Sequence, residues 1–398
     1  MSVTADPQVV AHYDVLIVGG GMVGAAAACL LGQAGLSVLL LEQQAPRPFA
    51  ADQPLDRRVS AISPASVALI QACGAWPALQ AMRLRAYRRL ETWELEGHET
   101  RFSAAELGVG ELGFIVENRL IQLALWQQLQ TLPNVEFSIG SQWQQLVSTP
   151  EQAEVMLADG RRVAARLVLG ADGAHSRVRQ QAGIGVTQWD YRQACLLVNV
   201  ELDDEAPEIT WQQFHPSGPR AFLPLAGRHA SLVWYDTPER VAELRVLPPA
   251  ALLAAIRGHF PARLPACRVQ GADSFTLTRR HAQRYVAGRV VLLGDAAHTI
   301  HPLAGQGVNL GFKDVELLCQ LIASAYQAGE AWDAPALLAR YQRQRQRDNL
   351  LMQTAMDAFY WAFSNQLLPL RLLRNAGLLL ADRAGPLKRR ALRYALGL

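Results

Sequence analysis

The chain has 398 residues, with 38 Lys and Arg against 35 Asp and Glu, and a formal net charge of +3 at pH 7. Half of its residues are hydrophobic and 18% are charged, which excludes a disordered chain and indicates a well-packed protein with room for two domains. So small a positive excess also argues against a nucleic-acid partner.

The cysteines and the amino terminus indicate the cellular compartment. Five cysteines are scattered along the chain without a Cys-x-x-Cys pair, a pattern that predicts free thiols in a reducing compartment and no metal site. The first residues lack the basic start of a signal peptide. We therefore expect a cytoplasmic protein.

Residues 13–42 predict a strand, a tight turn, a helix and a second strand that ends in an acid. A short apolar run precedes Gly19, Gly21 and Gly24, which would permit the turn, the approach of a pyrophosphate and close helix–strand packing. Glu42 follows where a carboxylate accepts hydrogen bonds from a ribose. The motif predicts an adenine dinucleotide site and leaves NAD and FAD as alternatives.

Residues 13–42 also allow a second interpretation. Residues 15–41 contain no charged side chain, so hydropathy alone would favour a membrane span. The glycines and the two β-like runs that flank one helical run argue against it. Further along, Arg57 and Arg58 lie beside the predicted dinucleotide site, either as phosphate ligands or as solvated surface side chains.

The middle of the chain predicts strands over 84–116, an amphipathic helix that begins near Asn118, and a small meander over 135–157. Residues 166–179 then repeat the order strand, glycine turn, helix. Asp172 comes at the carboxyl end of that strand, where ligands of parallel sheets bind, although a helix cap is an alternative role.

Short strands of near-alternating pattern over 186–236 predict an antiparallel sheet, and hence a second domain built differently from the first. The aromatic residues of these strands are interpreted first as core, with a ligand wall as the alternative. They are Trp211, Phe214, Phe222, Trp234 and Tyr235.

A third nucleotide-type element follows at 288–309. Asp295 ends a predicted strand, where it can bind a ribityl or ribose hydroxyl, and a Gly-rich loop leads to the next helix, whose N-terminus stabilises negative charge. His298 and His301 suggest a metal ligand pair, but without a third ligand nearby they are interpreted as structural.

The last stretch, 335–398, predicts helices broken near Asn365 and Gly385. Its leucine-rich and basic composition suits a membrane surface or a partner protein. Docking of these helices against the chain's own core is the equal alternative.

Taken together, the three glycine and acid elements resemble the three fingerprints of the single-component FAD-dependent aromatic hydroxylases. The loop 298–314 narrows the resemblance to the hydroxylases of ubiquinone biosynthesis. A finer match, to members that act on 2-polyprenyl-3-methyl-6-methoxy-1,4-benzoquinol, rests on stretches outside these motifs. Those stretches are 87–93, 210–214, 218–225, 231–236 and 394–398.

The resemblance implies an α/β (α+β) fold: a Rossmann-like FAD-binding domain of the p-hydroxybenzoate hydroxylase type, an inserted antiparallel-sheet substrate domain and a helical C-terminal region. The implied boundaries are 1–83, 117–183 and 275–330 for the FAD-binding domain, 84–116 and 184–274 for the substrate domain, and 331–398 for the helical region.

The resemblance also implies a role for each matching residue. Gly19, Gly21, Gly24 and Glu42 would hold the ADP half of FAD, Arg58 and Asn118 its ribose and phosphates, Asp172 with Gly173 both FAD and the passage of NAD(P)H, and Asp295 the ribityl chain. Pro302, Gly305, Gln306 and Gly307 would form the flavin and substrate loop, with the Val308 and Asn309 amides at the pyrimidine edge of the ring. No residue identifies itself as a catalytic acid or base.

The implied activity is hydroxylation of a polyprenyl benzoquinol by non-covalent FAD through a C4a-hydroperoxyflavin, with NAD(P)H as a transient reductant and O₂ as co-substrate. The implied partners are a ubiquinone-biosynthesis assembly and, through the basic tail, the inner face of the membrane. Four alternatives stay open: a sister ring hydroxylase, an epoxidase or saturase of the same fold, an NAD-dependent dehydrogenase, and a FAD-bearing scaffold subunit.

Overall fold

The computed structural model describes residues 10–300, 307–365 and 368–397. Its strands are β1 Val10–Val18, β2 Val38–Glu42, β3 Val59–Ile62, β4 Arg85–Tyr87, β5 Arg89–Trp93, β6 Thr100–Ser103, β7 Gly113–Glu117, β8 Val135–Ile139, β9 Trp143–Ser148, β10 Ala153–Leu157, β11 Arg162–Gly170, β12 Val186–Leu202, β13 Ile209–Gln213, β14 Arg220–Pro224, β15 His229–Asp236, β16 Cys267–Ala282, β17 Val286–Ala287, β18 Val290–Leu292 and β19 His298–Thr299. Its helices are α1 Met22–Gln33, α2 Pro64–Ala72, α3 Trp76–Ala81, α4 Ala104–Leu107, α5 Asn118–Leu129, α6 Arg177–Gln181, α7 Pro238–Arg245, α8 Pro249–His259, α9 Gly307–Gln327, α10 Pro335–Phe363, α11 Leu368–Arg383 and α12 Pro386–Leu396, with a 3₁₀ turn at Gly294–Ala296.

The first sheet has the order β17-β18-β11-β1-β2-β8, with β10 and β9 as an antiparallel arm on β11. Strand β1 lies at its centre, parallel to β2 and β11, and α1 packs against α5 and α9. The near-continuous apolar character of these strands fits a sheet that is covered on both faces. The predicted meander over 135–157 was wrong in part, because β8 instead extends the sheet in parallel beside β2.

The second sheet has the order β19-β16-β12-β15-β14-β13-β5-β6. Its neighbours pair antiparallel as predicted, except that β13 pairs with β5 in parallel, with Ile209 opposite Arg89. An alternating pattern cannot predict this pair, since β5 comes from a separate segment of the chain. One face of the sheet packs Trp211, Phe222 and Trp234 under α7 and α8, so these aromatics are core.

Strands β3, β7 and β4 form a small antiparallel sheet of their own, in the order β3-β7-β4, which was not predicted. The opposite face of the second sheet is also apolar, and it is turned towards α10. This face, which we call the inner face, carries Cys195, Leu197, Val233, Tyr235 and Leu277, with Phe275 and Tyr360 packed against it.

The last two helices differ in how far they are packed against the rest of the chain. Helix α12 docks on the core, because Leu392 and Leu396 are buried with Tyr87 and Leu112. Helix α11 instead leaves large apolar side chains exposed, among them Leu373, which is 70% exposed. No helix within the described ranges is long and apolar enough to span a bilayer.

Candidate functional site at the junction of the two sheets

The first two glycine motifs meet at the carboxyl ends of β1 and β11. Gly19 has φ +103°, and a Cβ placed on it would lie 2.4 Å from the Ala171 carbonyl oxygen. A Cβ on Gly24 would lie 1.9 Å from the Gly19 carbonyl oxygen. Both positions therefore require glycine, one for its backbone conformation and close contact, the other for the approach of α1 to the turn.

The third motif lies against the same helix. A Cβ on Gly294 would meet the Val23 side chain of α1 at 3.1 Å, and one on Gly311 of α9 would meet it at 2.8 Å. The chain thus brings all three motifs to one edge of the first sheet. Gly21, at the N-terminus of α1, has nothing within 4 Å of its missing Cβ, so the helix terminus opens onto free space.

Glu42 lies beside the glycine turn and is held there by backbone amides. Its carboxylate accepts hydrogen bonds from the N–H groups of Gly20 at 2.6 Å, Gln43 at 2.8 Å and Gln44 at 3.1 Å. These contacts orient the carboxylate next to the open N-terminus of α1. A carboxylate with two oxygens has lone pairs left for the hydroxyl groups of a ribose.

Arg58 lies just before β3, and Asn118 is the first residue of α5. The two residues are linked through the backbone, because the Asn118 amide donates a hydrogen bond to the Arg58 carbonyl at 3.0 Å. The exposed Arg58 guanidinium lies 4.1 Å from the centre of the Phe275 ring, on the second sheet. The Asn118 Oδ1 atom accepts a hydrogen bond from Ser60 Oγ at 2.7 Å. Arg58 thus spans the gap between the two sheets.

Asp172 caps α6 with one carboxylate oxygen and leaves the other unpaired among the described residues. Its Oδ2 atom accepts hydrogen bonds from the amides of Arg177 at 2.8 Å and Val178 at 3.1 Å, at the start of α6. Its Oδ1 atom is buried and has no hydrogen-bond partner among the described residues. Since an unpaired buried carboxylate oxygen is costly, this atom marks a place for a ligand donor. The neighbouring Gly173 has φ +81°.

Asp295 lies in the 3₁₀ turn that follows β18. Its side chain is solvent-accessible, and no described residue forms a hydrogen bond with its carboxylate. The surrounding protein desolvates the carboxylate and so raises its pKa above the usual value, an effect that the positive charges of His298 and Arg280 only partly offset. A carboxylate that is partly desolvated, still reachable from solvent and not hydrogen-bonded by a described residue is well suited to accept hydroxyl donors.

The start of α9 carries the last predicted contacts. The Asn309 side chain is buried: Oδ1 accepts from the Ser63 amide at 3.0 Å and Ser66 Oγ at 2.6 Å, while Nδ2 donates to the Ala61 carbonyl at 2.9 Å. The side chain therefore fixes α9 to β3 and α2, which the sequence did not predict. Gly307 and Val308 are half-buried in the same turn. The predicted Pro302, Gly305 and Gln306, with His301, lie outside the described residues.

A buried polar cluster behind this turn was missed. The fully buried Asp314 accepts hydrogen bonds from the Gly294 amide at 3.0 Å, His298 Nε2 at 2.6 Å, Arg345 Nε at 2.8 Å and Asn349 Nδ2 at 3.2 Å. Burial alone would raise the pKa of Asp314, but the charges and hydrogen bonds of His298 and Arg345 bring it to about 2. His298 thus has the structural role that was predicted.

The residues at this edge fit an adenine dinucleotide that carries a flavin. The open N-terminus at Gly21 suits the pyrophosphate, and the carboxylate of Glu42 suits the ribose. The unpaired Asp172 oxygen and the unpartnered Asp295 provide acceptors at the second and third motifs. Phe275, which packs against the inner face of the second sheet, lies under the Arg58 guanidinium, so this face adjoins the site.

Comparison with known proteins decides the family. The sequence profile of a family described as FAD binding domain matches residues 12–354. The 3-demethoxyubiquinol 3-hydroxylase of Escherichia coli K12 is 52% identical over 385 residues, which cover 97% of this chain and 98% of that protein. The ubiquinone hydroxylase UbiL of Rhodospirillum rubrum is 38% identical over 387 residues, 96% of this chain and 89% of that protein.

The chain belongs to the FAD-dependent ring hydroxylases of ubiquinone biosynthesis. This hydroxylase is therefore an enzyme and a flavin monooxygenase, so the dehydrogenase and scaffold alternatives are set aside. Its fold also resembles p-nitrophenol 4-monooxygenase PnpA from Pseudomonas putida, with a TM-score of 0.79, 21% identity and coverage of 98% and 97% of the two chains. The P. aeruginosa protein PqsL, solved with 2-aminobenzoylacetate, gives a TM-score of 0.78 at 25% identity and covers 92% and 99%. The predicted fold class is confirmed.

Proposed function

We propose that this hydroxylase adds one oxygen atom to the ring of a polyprenyl benzoquinol, with 2-polyprenyl-3-methyl-6-methoxy-1,4-benzoquinol as the substrate. The observation that carries the proposal is the 52% identity, over nearly the full length of both chains, to a relative named for demethoxyubiquinol. The apolar inner face of the second sheet supports it, because an uncharged ring with a hydrocarbon tail needs such a wall. A sister hydroxylase of the same pathway is the alternative.

We propose the following contacts for the cofactor. The N-terminus of α1 at Gly21 would face the pyrophosphate, Glu42 the adenosine ribose, and Arg58 with Asn118 the ribose and phosphates. Asp172 and Asp295 would accept the remaining hydroxyl groups, and the amides at 307–309 would face the pyrimidine edge of the flavin. The division into the FAD-binding, substrate and helical regions with the boundaries given above belongs to the same proposal.

The residues of this chain would bind and orient, while the cofactor supplies the chemistry. Bound FAD, once reduced by NAD(P)H, supplies the activated oxygen. Arg58 would stabilise negative charge between the sheets, where its guanidinium lies over Phe275. The inner face would exclude water from the ring, which keeps the oxygen from being lost as H₂O₂. Cys195 and Tyr235 are not bases here, because burial raises the pKa of each.

Mass spectrometry of quinone lipids from a deletion strain tests the substrate. We expect accumulation of the intermediate that has an unsubstituted ring position between its methyl and methoxy groups, and loss of that accumulation when the gene is restored. An earlier intermediate without the methoxy group would assign the enzyme to a sister reaction. Unchanged ubiquinone would contradict the proposal, as would a purified protein that binds FAD but never consumes NAD(P)H.

We also propose peripheral contact with the inner face of the membrane through α10 and α11. Exposed large apolar side chains concentrate on these two helices. Exposed arginines lie nearby in the sequence, at 383 at the end of α11 and at 389 and 390 in α12. Apolar side chains next to basic ones suit a bilayer with anionic headgroups. The apolar side chains are Leu350, Leu351, Phe359, Trp361, Leu370, Leu372, Leu373 and Leu380.

Flotation with vesicles of phosphatidylglycerol and phosphatidylethanolamine tests this contact. The variant Trp361→Ser/Leu373→Ser should float less than the wild type, whereas Val246→Ser, at an 80% exposed apolar residue after α7, should float equally. Binding should weaken with added salt, because charge attraction is screened within about 8 Å at physiological ionic strength. Equal flotation of all three proteins would contradict the proposal. Capture by another enzyme of the pathway without flotation would instead assign the face to a ubiquinone-biosynthesis assembly.

A further inference from the structure

In helix α10, five polar side chains follow one another at intervals of four residues. Residues four apart are neighbours on the surface of a helix, so these side chains form a single row that winds slowly around it. All five are buried or half-buried, where polar groups are costly unless they are hydrogen-bonded. The row, which we call the polar row, consists of Tyr341, Arg345, Asn349, Gln353 and Asp357.

The first half of the polar row contacts the first sheet and the turn of the third motif. The Tyr341 hydroxyl donates to the Leu292 carbonyl at 2.8 Å, at the end of β18. Arg345 and Asn349 donate to Asp314, which in turn holds the turn that carries Asp295. These contacts fix α10 relative to the FAD-binding side of the molecule.

The last residue of the row contacts the second sheet. The Asp357 carboxylate accepts hydrogen bonds from the Tyr191 hydroxyl on β12 and from the Arg279 guanidinium on β16. The Tyr360 hydroxyl, one turn further on, donates to the Tyr191 carbonyl at 3.1 Å. The polar row therefore contacts the first sheet at one end and the substrate sheet at the other.

Gln353 lies between these two groups of contacts, where the two sides meet. It is 1% exposed, and its Nε2 atom donates to the Arg280 carbonyl at 2.8 Å and to the Thr299 carbonyl at 2.9 Å. Arg280 on β16 and Thr299 on β19 also face each other in the short ladder that joins the substrate sheet to the third motif. A primary amide has two N–H donors, so a single side chain satisfies both carbonyls.

We propose that Gln353 is a positioning residue that sets the distance between the substrate sheet and β19, the strand that follows the turn carrying Asp295. Gln353 holds Thr299 on β19 and Arg280 on β16, so it ties the Asp295 turn to the sheet that bears the inner face. The proposal rests on the proposed function, since that function places FAD beside Asp295 and the quinol against the sheet.

The position of this turn relative to the sheet controls how the oxygen is used. Transfer to the ring requires the ring and the flavin to be held together with water excluded, and small displacements are costly. A turn that is no longer tied to the sheet through Thr299 would still allow FAD to bind and NAD(P)H to be consumed. More of the reduced oxygen would then leave as H₂O₂ and less would enter the product.

The variant Gln353→Met tests the proposal, because it keeps the length and bulk of the side chain but removes both donors. Gln344→Met, at an exposed glutamine of the same helix, is the matched control. In FAD-free protein, we expect amide hydrogen exchange over 297–300 to become about fivefold to tenfold faster in Gln353→Met, the change that fits loss of one hydrogen bond. In FAD-loaded protein, H₂O₂ formed per NAD(P)H should at least double at equal FAD occupancy. Gln344→Met should match the wild type in both measurements.

Wild-type exchange rates and wild-type H₂O₂ yield in Gln353→Met would overturn the proposal. If that variant fails to fold, Gln353→Asn replaces it, since the shorter amide keeps its donors but cannot reach both carbonyls, and the same two outcomes apply. Hydrogen exchange needs no substrate, so it decides the role of Gln353 independently. A wild-type enzyme that forms H₂O₂ but no hydroxylated quinol would contradict the proposed function and not the positioning role.

Discussion

Arg345 of α10 and Asp314 of α9 form a buried ion pair, with Nε and Oδ1 2.8 Å apart and the two residues 4% and 0% exposed. Asp314 also accepts a hydrogen bond from the Gly294 amide, so the pair connects α10 to the turn of the third motif. Burying two charges costs several kcal/mol in lost hydration, which mutual attraction and the further hydrogen bonds offset.

Breaking this pair from one side should be more damaging than removing it. We expect Asp314→Asn and Arg345→Met each to lower the free energy of unfolding by about 3–5 kcal/mol, because each leaves a buried partner unpaired. The double variant should lose clearly less than the sum of the two. Urea unfolding of the FAD-free wild type, the two single variants and the double variant measures these free energies. Strictly additive losses would show that the two side chains do not interact.

Two glycines of the first motif should respond differently to alanine. Gly24→Ala should fail to fold or melt far below the wild type, since its Cβ would lie 1.9 Å from a backbone oxygen. Gly21→Ala should fold normally, because nothing lies within 4 Å of its Cβ, but should bind FAD more weakly if the pyrophosphate approaches there. Thermal unfolding and FAD titration of the apoproteins measure both effects. Unchanged FAD affinity in Gly21→Ala would remove that residue from the cofactor site.

Replacing Asp295 should release the flavin without unfolding the protein. The carboxylate forms no hydrogen bond with a described residue, so Asp295→Ala removes no internal contact of that kind. Loss of one charge-assisted hydrogen bond to FAD would cost about 1.5–3 kcal/mol, which weakens binding by about 10- to 100-fold. Fluorescence titration with FAD measures this change, with Asp204→Ala, at an exposed aspartate in a loop, as the control. Full flavin occupancy at micromolar concentration would refute the assigned role.

His215, which follows β13, should make the stability of the enzyme sensitive to mild acid. Burial, reinforced by the charge of Arg220, lowers the pKa of His215 to about 4. The pKa of a histidine in the unfolded chain is about 6.5. Between these two values the unfolded chain binds more protons than the folded one, so the free energy of unfolding falls as the pH drops through that window. His215→Gln should flatten this dependence, and His12→Gln, at an exposed histidine, should not. Urea unfolding at pH 5 and pH 7 compares the three proteins.

The three motifs were predictable from sequence because each combines local signals: an apolar strand, a glycine at a sharp turn, and a helix start. At Gly19 and Gly24 the structure explains the glycine directly, because a Cβ at either position would overlap a backbone carbonyl oxygen. Pairing between distant segments gave no such signal. The alternation of polar and apolar residues in β5 is typical of any half-buried strand. Nothing within β5 indicates that its neighbour is the parallel strand β13. Strand β8 was assigned to a meander for the same reason.

The buried side chains of α10 could not be assigned from sequence alone. Arg345, Asn349 and Gln353 are polar, and a helix rich in Gln and Arg normally has those side chains in solvent. Their spacing of four was visible, but a row of polar side chains predicts a solvated face as readily as a buried one. What decides between the two is the presence of Asp314 on another helix, which local pattern cannot show.

The order of the strands determines when this enzyme can fold during synthesis. The centre of the first sheet pairs β1 with β11, and β11 with β18, while β5 waits for β13. Neither sheet is complete until the ribosome has made residues near 300, so one edge of β1 and one edge of β5 emerge long before β11 and β13, which pair with them. Nascent chains of this hydroxylase should therefore depend on chaperones through most of translation, and chains stalled before β18 should aggregate when released.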